Sequence, residues 1–283
     1  MCQVIRVKPD LKKVINKARI ANKSIGLVPT MGALHQGHLS LVKMSKSQYD
    51  VTITTIFVNP TQFNSKEDLV KYPKTEAADI KKLTDMGCDY VFIPTSKEVY
   101  DIKPTLKIDF GYLEHILEGK HRPGHFNGVG LIIMKLFGLV QPTGAYFGQK
   151  DLQQFSVITT LIRDFELPIN LHLAPIIREN SGLAMSSRNQ RLTTTEQESA
   201  SIIYSTLKQA KNQLLKGVAK ELVLKNAIET FNMAEGVKLE YFEIVDAETL
   251  QDIGTVSAGD RLALCAAAFV AEVRLIDNII IEI

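Results

Sequence analysis

Apolar residues along this chain follow two rhythms that alternate through its first two thirds. Leu11, Val14, Ile15 and Ala18 recur at helical spacing, and residues 25–30 form an apolar run that ends at Pro29-Thr30. A helical stretch at 38–49 precedes Val51-Thr-Ile-Thr-Thr-Ile-Phe-Val58, which is dense in β-branched residues and stops at Asn59-Pro60. The alternation predicts further helices at 76–86, 128–140 and 152–165, and further strands at 90–94, 145–147 and 169–177. β-Branched runs bounded by Pro, Gly or Asn favour strands, and helical periodicity between them supplies the connections. Because these strands are continuously apolar, both faces of their sheet must be covered, as in a parallel sheet flanked by helices.

After Arg178 the order changes. Residues 193–216 and 220–232 predict two helices rich in Ala, Lys, Glu and Gln, and 238–245, 260–270 and 272–281 predict three successive strands. Helices followed by neighbouring strands indicate an α+β unit. The expected fold class is therefore α/β: a Rossmann-like, doubly wound parallel sheet over residues 1–176 and a second, smaller α+β domain over 177–283. The boundary falls in the Pro/Arg/Asn/Gly segment 175–182.

Composition narrows the class of partner. The chain has 283 residues, 45% hydrophobic and 23% charged, which suits a larger and a smaller domain, each able to bury a core. Lys+Arg 33 against Asp+Glu 31 leaves a formal charge of +2, so nothing in the balance asks for nucleic acid. Cys2, Cys88 and Cys265 are odd in number and widely separated, which fits reduced thiols better than disulfides or a metal site. Apolar runs such as 131–134 and 263–270 fall short of the roughly 20 residues that span a bilayer, and the N-terminus has no signal-peptide pattern. The expectation is a cytoplasmic protein without a membrane or nucleic-acid partner.

The densest chemistry lies in Leu27-Val-Pro-Thr-Met-Gly-Ala-Leu-His-Gln-Gly-His38, where a buried strand turns into a helix. Ligands of open parallel sheets bind beyond the carboxyl ends of the strands, where a helix N-terminus offers free N–H groups to phosphate. Gly32 and Gly37 let the backbone approach a nucleotide, and His35 and His38 can donate to phosphate oxygens. The structural alternative is one imidazole capping the helix and the other in solvent. No GxxxxGK[ST] run occurs, and no GxGxxG opens a helix. Lys43 and Lys46 follow on the same predicted helix and read as surface lysines.

Tyr146-Phe-Gly-Gln-Lys-Asp-Leu-Gln-Gln154 again follows a strand and opens a helix. It presents Lys150 as a point charge for phosphate, and Asp151 as either an N-cap or an acceptor for a sugar hydroxyl or hydrated metal. Met185-Ser-Ser-Arg-Asn189 places two hydroxyls and an Arg at the domain junction, suited to a triphosphate. In Asn59-Pro-Thr-Gln-Phe63, turn chemistry explains Asn59 and Pro60 but not Gln62, whose amide suits a polar small molecule. Arg122-Pro-Gly-His-Phe126 keeps two readings: Arg122 and His125 meet an anion, or His125 begins the next helix.

Taken together, PTMGALHQGH, NPTQF, RPGHFNGV, GQKDLQQ and MSSRN, in this order and at these separations, resemble the pantothenate synthetase (pantoate beta-alanine ligase) family. The resemblance implies a two-step synthesis. Pantoate attacks the α-phosphorus of ATP to give pantoyl adenylate and pyrophosphate, and the amine of β-alanine then displaces AMP. It implies that Met31, Gly32, Ala33, Leu34, His35, Gln36, Gly37 and His38 line the ATP site, with His38 as the proton donor. Gly148, Gln149, Lys150, Asp151, Ile177, Met185, Ser186, Ser187 and Arg188 would complete that site, Ile177 against the adenine. Gln62 and Gln154 would hold pantoate, Gln62 also lying near β-alanine, and His35 and Lys150 are the further catalytic candidates. The same likeness implies Mg2+ with the ATP, a homodimer, and a lid role for the smaller domain. Gln149 stands where the family more usually has Glu, which removes one charge beside Lys150. The alternative is another HxGH nucleotidylyltransferase, such as a phosphopantetheine adenylyltransferase, for which NPTQF and GQKD have no purpose.

Overall fold

The computed structural model describes residues 2–283. Strands β1 (Gln3–Ile5), β2 (Ile25–Thr30), β3 (Val51–Ile56), β4 (Tyr90–Phe92), β5 (Gly144–Gly148) and β6 (Asn170–Ala174) form one sheet in the order β1-β4-β3-β2-β5-β6. Every pairing in it is parallel. The connections carry α1 (Lys8–Ile20), α2 (Gln36–Gln48), α3 (Lys66–Lys71), α4 (Glu76–Asp85), α5 (Ser96–Val99), α6 (Leu117–His121), α7 (His125–Val140) and α8 (Leu152–Asp164). α1, α7 and α8 cover one face of the sheet, while α2 and α4 cover the other. This double cover explains the unbroken apolar strands: every residue of β3 is buried, and its inward Thr52 and Thr54 hydroxyls meet Ser45 and Cys88.

The chain leaves β2 for β3 on one side and returns to β5 on the other, so the order reverses between β2 and β5. A crevice opens at such a switch point, beyond the carboxyl ends of the two strands. β2 ends at Thr30 and β5 at Gly148, directly before the HxGH and GQKD segments.

The remaining elements are α9 (Thr194–Ala200), α10 (Ile202–Leu215), α11 (Lys220–Asn232), β7 (Val237–Asp246), β8 (Arg261–Val270) and β9 (Val273–Glu282). The three strands form an antiparallel meander. One face of β8, through Leu262, Leu264 and Ala266, packs on α10 and α11, and the other, through Ala263 and Cys265, joins the core of the larger sheet. An antiparallel strand buried on both faces reads as the apolar run seen at 263–270.

Short helices α3, α5 and α6 were not expected, α7 begins three residues before 128, and two further departures have a physical cause. The helix predicted over 193–216 is divided at Ser201, whose N–H and hydroxyl both turn back to the Glu198 carbonyl (3.1 and 2.6 Å) and tighten the last turn of α9. β1 is not among the predicted strands; three residues are too few for a period, and only pairing with β4 makes them a strand. Cys2, Cys88 and Cys265 are unpaired and buried. Among the described residues no helix is long and apolar enough to cross a membrane.

Candidate active site

Between Thr30 and α2 the chain turns through Gly32 (φ +81°) and Ala33 (φ +49°), both in the left-handed region. Glycine is at ease there and alanine is strained. Ala33 is held in place from α4: the Asp79 carboxylate accepts the Ala33 and Leu34 N–H groups, each at 2.8 Å, and the Thr75 hydroxyl at 3.1 Å. Asp79 is completely buried. Lys82, on the same helix, donates to the Leu34 carbonyl at 2.6 Å. From the opposite side the Ser187 hydroxyl donates to the Ala33 carbonyl at 3.0 Å. The HxGH segment is thus clamped between α4 and the junction loop.

His35 is the N-cap of α2. Its Nδ1 accepts the Gly37 N–H at 3.2 Å, and His38 Nδ1 accepts the His35 N–H at 3.4 Å. Gly37 leaves the room this requires, since a Cβ there would fall 2.9 Å from the His35 ring. With both Nδ1 atoms accepting, the hydrogen-bond pattern assigns the ring protons to Nε2. The rings stand 4.1 Å apart between centroids. Burial first, then the charge of His38 and of Lys150, pushes the His35 pKa down to about 3. Burial, followed by the charges of Lys150 and Lys82, pushes His38 down to about 4. Both imidazoles are neutral at pH 7 and offer Nε2–H donors without formal charge.

At the end of β5, Gly148 leads into a 3-10 turn over Gln149–Asp151. The turn is fixed from β9: Asn278 Nδ2 donates to the Gln149 and Lys150 carbonyls (2.9 and 3.1 Å), and the Gln149 amide donates to Asn278 Oδ1 (3.0 Å). Gln149 is therefore a link to the smaller sheet. The adjoining Asp277 forms a two-pronged pair with Arg178 (2.6 and 3.0 Å), which also stacks on Tyr204. Among the described residues Lys150 has one loose partner, Asp151 Oδ1 at 3.8 Å. Asp151 makes no side-chain cap on α8, so its carboxylate stays available to the crevice.

Gln62 follows β3 on a 3-10 turn. The Asn59 amide donates to Gln62 Oε1 (3.0 Å) and to the Gly128 carbonyl (3.1 Å), while the Tyr100 hydroxyl donates to Asn59 Oδ1 (2.8 Å). His125 Nδ1 bonds the Gln62 carbonyl at 2.8 Å, and burial pushes the His125 pKa down to about 3. His125 thus begins α7 and braces the Gln62 turn. The paired glutamines of α8 part company. Gln153 is buried on the Glu118 N–H and the Leu113 and Ile116 carbonyls, and Gln154 faces the crevice.

Two cavities meet at these residues. One, about 150 Å³, is lined by Met31, His38, Gln62, His125 and Gln154. The other, about 140 Å³, is lined by His35, Gly37, His38, Lys150, Ile177 and the Met185-Ser-Ser-Arg188 loop. Met31, His38, Asp151, Gln154 and Arg188 border both. Arg188 is set by Asp68 of α3, which takes its Nη2 at 2.8 Å and Arg191 Nη1 at 3.0 Å. Gly32, Ala33, Leu34, Gln36 and Gln149 line neither cavity. Ala33 and Leu34 give their side chains to the core and their N–H groups to Asp79, and Gln36 faces solvent.

Asn59, expected to serve turn chemistry alone, and Asp79, Asp277 and Asn278, given no role in the sequence reading, position these groups. A signal existed for each acid. Asp79 shares the buried face of α4 with Leu83, and Asp277-Asn278 interrupts an apolar strand.

The neutral histidines carry a stability consequence. His35, His38 and His125 titrate near 3 to 4 when folded, against an ordinary value of about 6.5 when unfolded. Below about pH 6.5 the unfolded chain binds more protons, so stability falls as pH drops and is recovered on raising it. At pH 5 the loss should reach up to roughly 2 kcal/mol per histidine. Urea unfolding at pH 7 and pH 5 checks this; equal midpoints would show that these rings are not held neutral.

Residues 3–280 match the sequence profile of the family described as Pantoate-beta-alanine ligase. The pantothenate synthetase of Cytophaga hutchinsonii is 46% identical over 261 residues, 92% of each chain. That of Porphyromonas gingivalis is 44% identical over 277 residues, 98% of each. Among solved structures, pantothenate synthetase from Thermus thermophilus superposes with a TM-score of 0.91 at 34% identity, covering 98% of each chain. The pantoate-beta-alanine ligase of Francisella tularensis, complexed with beta-gamma ATP and beta-alanine, gives a TM-score of 0.83 at 35% identity, covering 99% of this chain and 97% of that one. The architecture, the crevice chemistry and these full-length likenesses agree: the chain belongs to the pantoate-beta-alanine ligase family.

Proposed function

We infer that the two joined cavities carry out ATP-dependent condensation of pantoate with β-alanine through a pantoyl adenylate. The observation that carries this assignment is their common wall. His38 stands between a chamber with glutamine amides and a chamber with Lys150, Ile177 and the Ser186-Ser187-Arg188 loop. An acid held by Gln62 and Gln154 meets the α-phosphorus of a nucleotide lying along the second chamber, its base toward Ile177.

Adenylation brings a carboxylate to a polyanion, so the site must spread positive charge over the phosphates without binding the attacking oxygen. Lys150, Arg188 and the Nε2–H groups of His35 and His38 do this, and the uncharged glutamines leave the acid nucleophilic. As pyrophosphate leaves, negative charge grows on the side lined by Lys150 and Arg188. The neutral amine of β-alanine then attacks the acyl carbonyl, and AMP departs. The smaller sheet, joined to the GQKD turn by Asn278, shields the adenylate from water.

Mg2+ would enter with the nucleotide, neutralising phosphate charge. Among the described residues no group of three or more His, Cys, Asp or Glu is placed to hold a metal ion. Asp151, uncapped and bordering both cavities, fits the usual Mg2+ arrangement of one carboxylate with phosphate oxygens and waters. The division near residue 176 into a nucleotide-binding unit and a smaller lid, the homodimer and the cytoplasmic location belong to the same proposal.

The test is pantoate-dependent exchange of labelled pyrophosphate into ATP, together with AMP release that requires both pantoate and β-alanine. A nucleotidylyltransferase would leave the nucleotide on its product, so no AMP would form. Gln62→Ala should raise the pantoate KM about 5- to 150-fold in the exchange assay, as loss of a buried hydrogen-bond partner costs about 1–3 kcal/mol. The ATP KM should stay within about threefold; equal damage to both would place the effect in folding.

A further inference from the structure

The RPGHF segment supplies a half-buried cation that the reaction above does not use. Arg122 sits between α6 and α7 with its side chain 22% exposed. A guanidinium has five N–H donors and cannot shed its charge. Among the described residues its one polar partner is Glu118 Oε2, 3.4 Å from Nη1, longer than the roughly 2.7–2.9 Å of a strong charge-assisted bond.

That carboxylate is already taken. Arg274 of β9 grips Glu118 with two bonds, 2.7 and 2.8 Å, and the Tyr241 hydroxyl donates to it at 2.9 Å. These contacts hold the Glu118 pKa down at about 2 despite its burial. Arg178, Arg188 and Arg274 each have a carboxylate oxygen at close range, at 2.6, 2.8 and 2.7 Å. Arg122 does not. Burial and the nearby charges of Arg188 and Arg274 depress its pKa below the ordinary arginine value, outweighing the pull of Glu118.

Position selects the anion. Arg122 lines the chamber of Gln62 and Gln154 and also a larger opening of about 460 Å³ beside Lys150, Arg188 and Arg274. It does not line the chamber of His35 and Ile177, where the nucleotide is placed. The His125 N–H bonds the Arg122 carbonyl at 3.0 Å, and the His125 ring bonds the Gln62 carbonyl, so Arg122 and Gln62 are set by one residue. We propose that Arg122 binds the carboxylate of the amine substrate and makes this site select a short amino acid over a simple amine. The proposal rests on the ligase reading. The amino acid enters through the larger opening with its carboxylate on Arg122 and its amine toward the acyl carbonyl.

The test is Arg122→Gln in the full-length protein, assayed with β-alanine and with 3-aminopropanol, which keeps the amine and lacks the carboxylate. The KM for β-alanine should rise at least ~30-fold, the scale of truncating one partner of a buried charge pair. Turnover of 3-aminopropanol should stay within about threefold of the unmutated enzyme, so the preference between the two amines collapses. Pantoate-dependent pyrophosphate exchange should keep its KM values for ATP and pantoate. Arg122→Lys should restore part of the preference, and it serves alone if the Gln variant does not fold. A raised KM for ATP or pantoate, or an unchanged KM for β-alanine, overturns the proposal while leaving the ligase reading intact. Absence of exchange in the unmutated enzyme overturns both.

Discussion

Replacing His38 by alanine should slow pantoyl adenylate formation roughly 10²- to 10³-fold, the scale of removing one preorganised donor from a developing charge. The expectation follows from the state of the ring. His38 Nδ1 is occupied by the His35 N–H, and burial with Lys150 and Lys82 nearby holds the imidazole neutral. In the proposed reaction it would act on the phosphates through one fixed Nε2–H, which a cavity cannot replace. His38→Gln, which keeps an N–H donor, should recover part of the rate. Single-turnover adenylation with excess ATP and pantoate is the measurement. A rate within a few-fold of the unmutated enzyme would remove His38 from the mechanism.

Asp79→Asn should be nearly as damaging, although Asp79 lines neither cavity. Its two carboxylate oxygens accept the N–H groups of Ala33 and Leu34. An asparagine must turn an NH2 toward one of them, leaving a buried donor without an acceptor. Stability should fall by about 2–4 kcal/mol, since bonds to charged groups contribute about 1.5–3 kcal/mol each. The strained Ala33 turn should then relax and displace His35 and His38, and a misplacement of about 1 Å can cost 10²-fold in rate. Adenylation should therefore drop about 10²-fold per folded molecule, with the KM for β-alanine unchanged. If the variant is destabilised but adenylates at the full rate once corrected for folded fraction, Asp79 is structural and does not position the histidines.

Much of this site could be read before the fold was known. Met31, His35, Gly37 and His38 line the second chamber, as does Lys150, because each lies where a strand ends and a helix begins, a place that local periodicity locates. Gln62 stood out because turn chemistry did not explain it. Local reasoning was blind to which backbone groups are already engaged. Ala33 and Leu34 sit inside the HxGH segment yet spend their N–H groups on an acid 45 or more residues away. Gln149, read as a missing charge, is a hydrogen-bond partner of Asn278, 129 residues further on. For Arg122 the two readings separate: the helix begins at His125, and Arg122 is left without a close anion.

The alternation of apolar runs and helical spacing was enough by itself to determine a parallel sheet with a smaller α+β unit, because side-chain periodicity is a local property of each element. The motifs at strand ends were likewise enough to indicate phosphate chemistry. Strand order, and with it the crevice between β2 and β5, was decided only by the tertiary structure, since pairing depends on which apolar faces meet and not on any one segment's pattern. The same is true of the charges. Whether Glu118 neutralises Arg122 or Arg274 is a question of where β9 lies against α6, and that docking leaves Arg122 with only a long bond to the carboxylate that Arg274 grips.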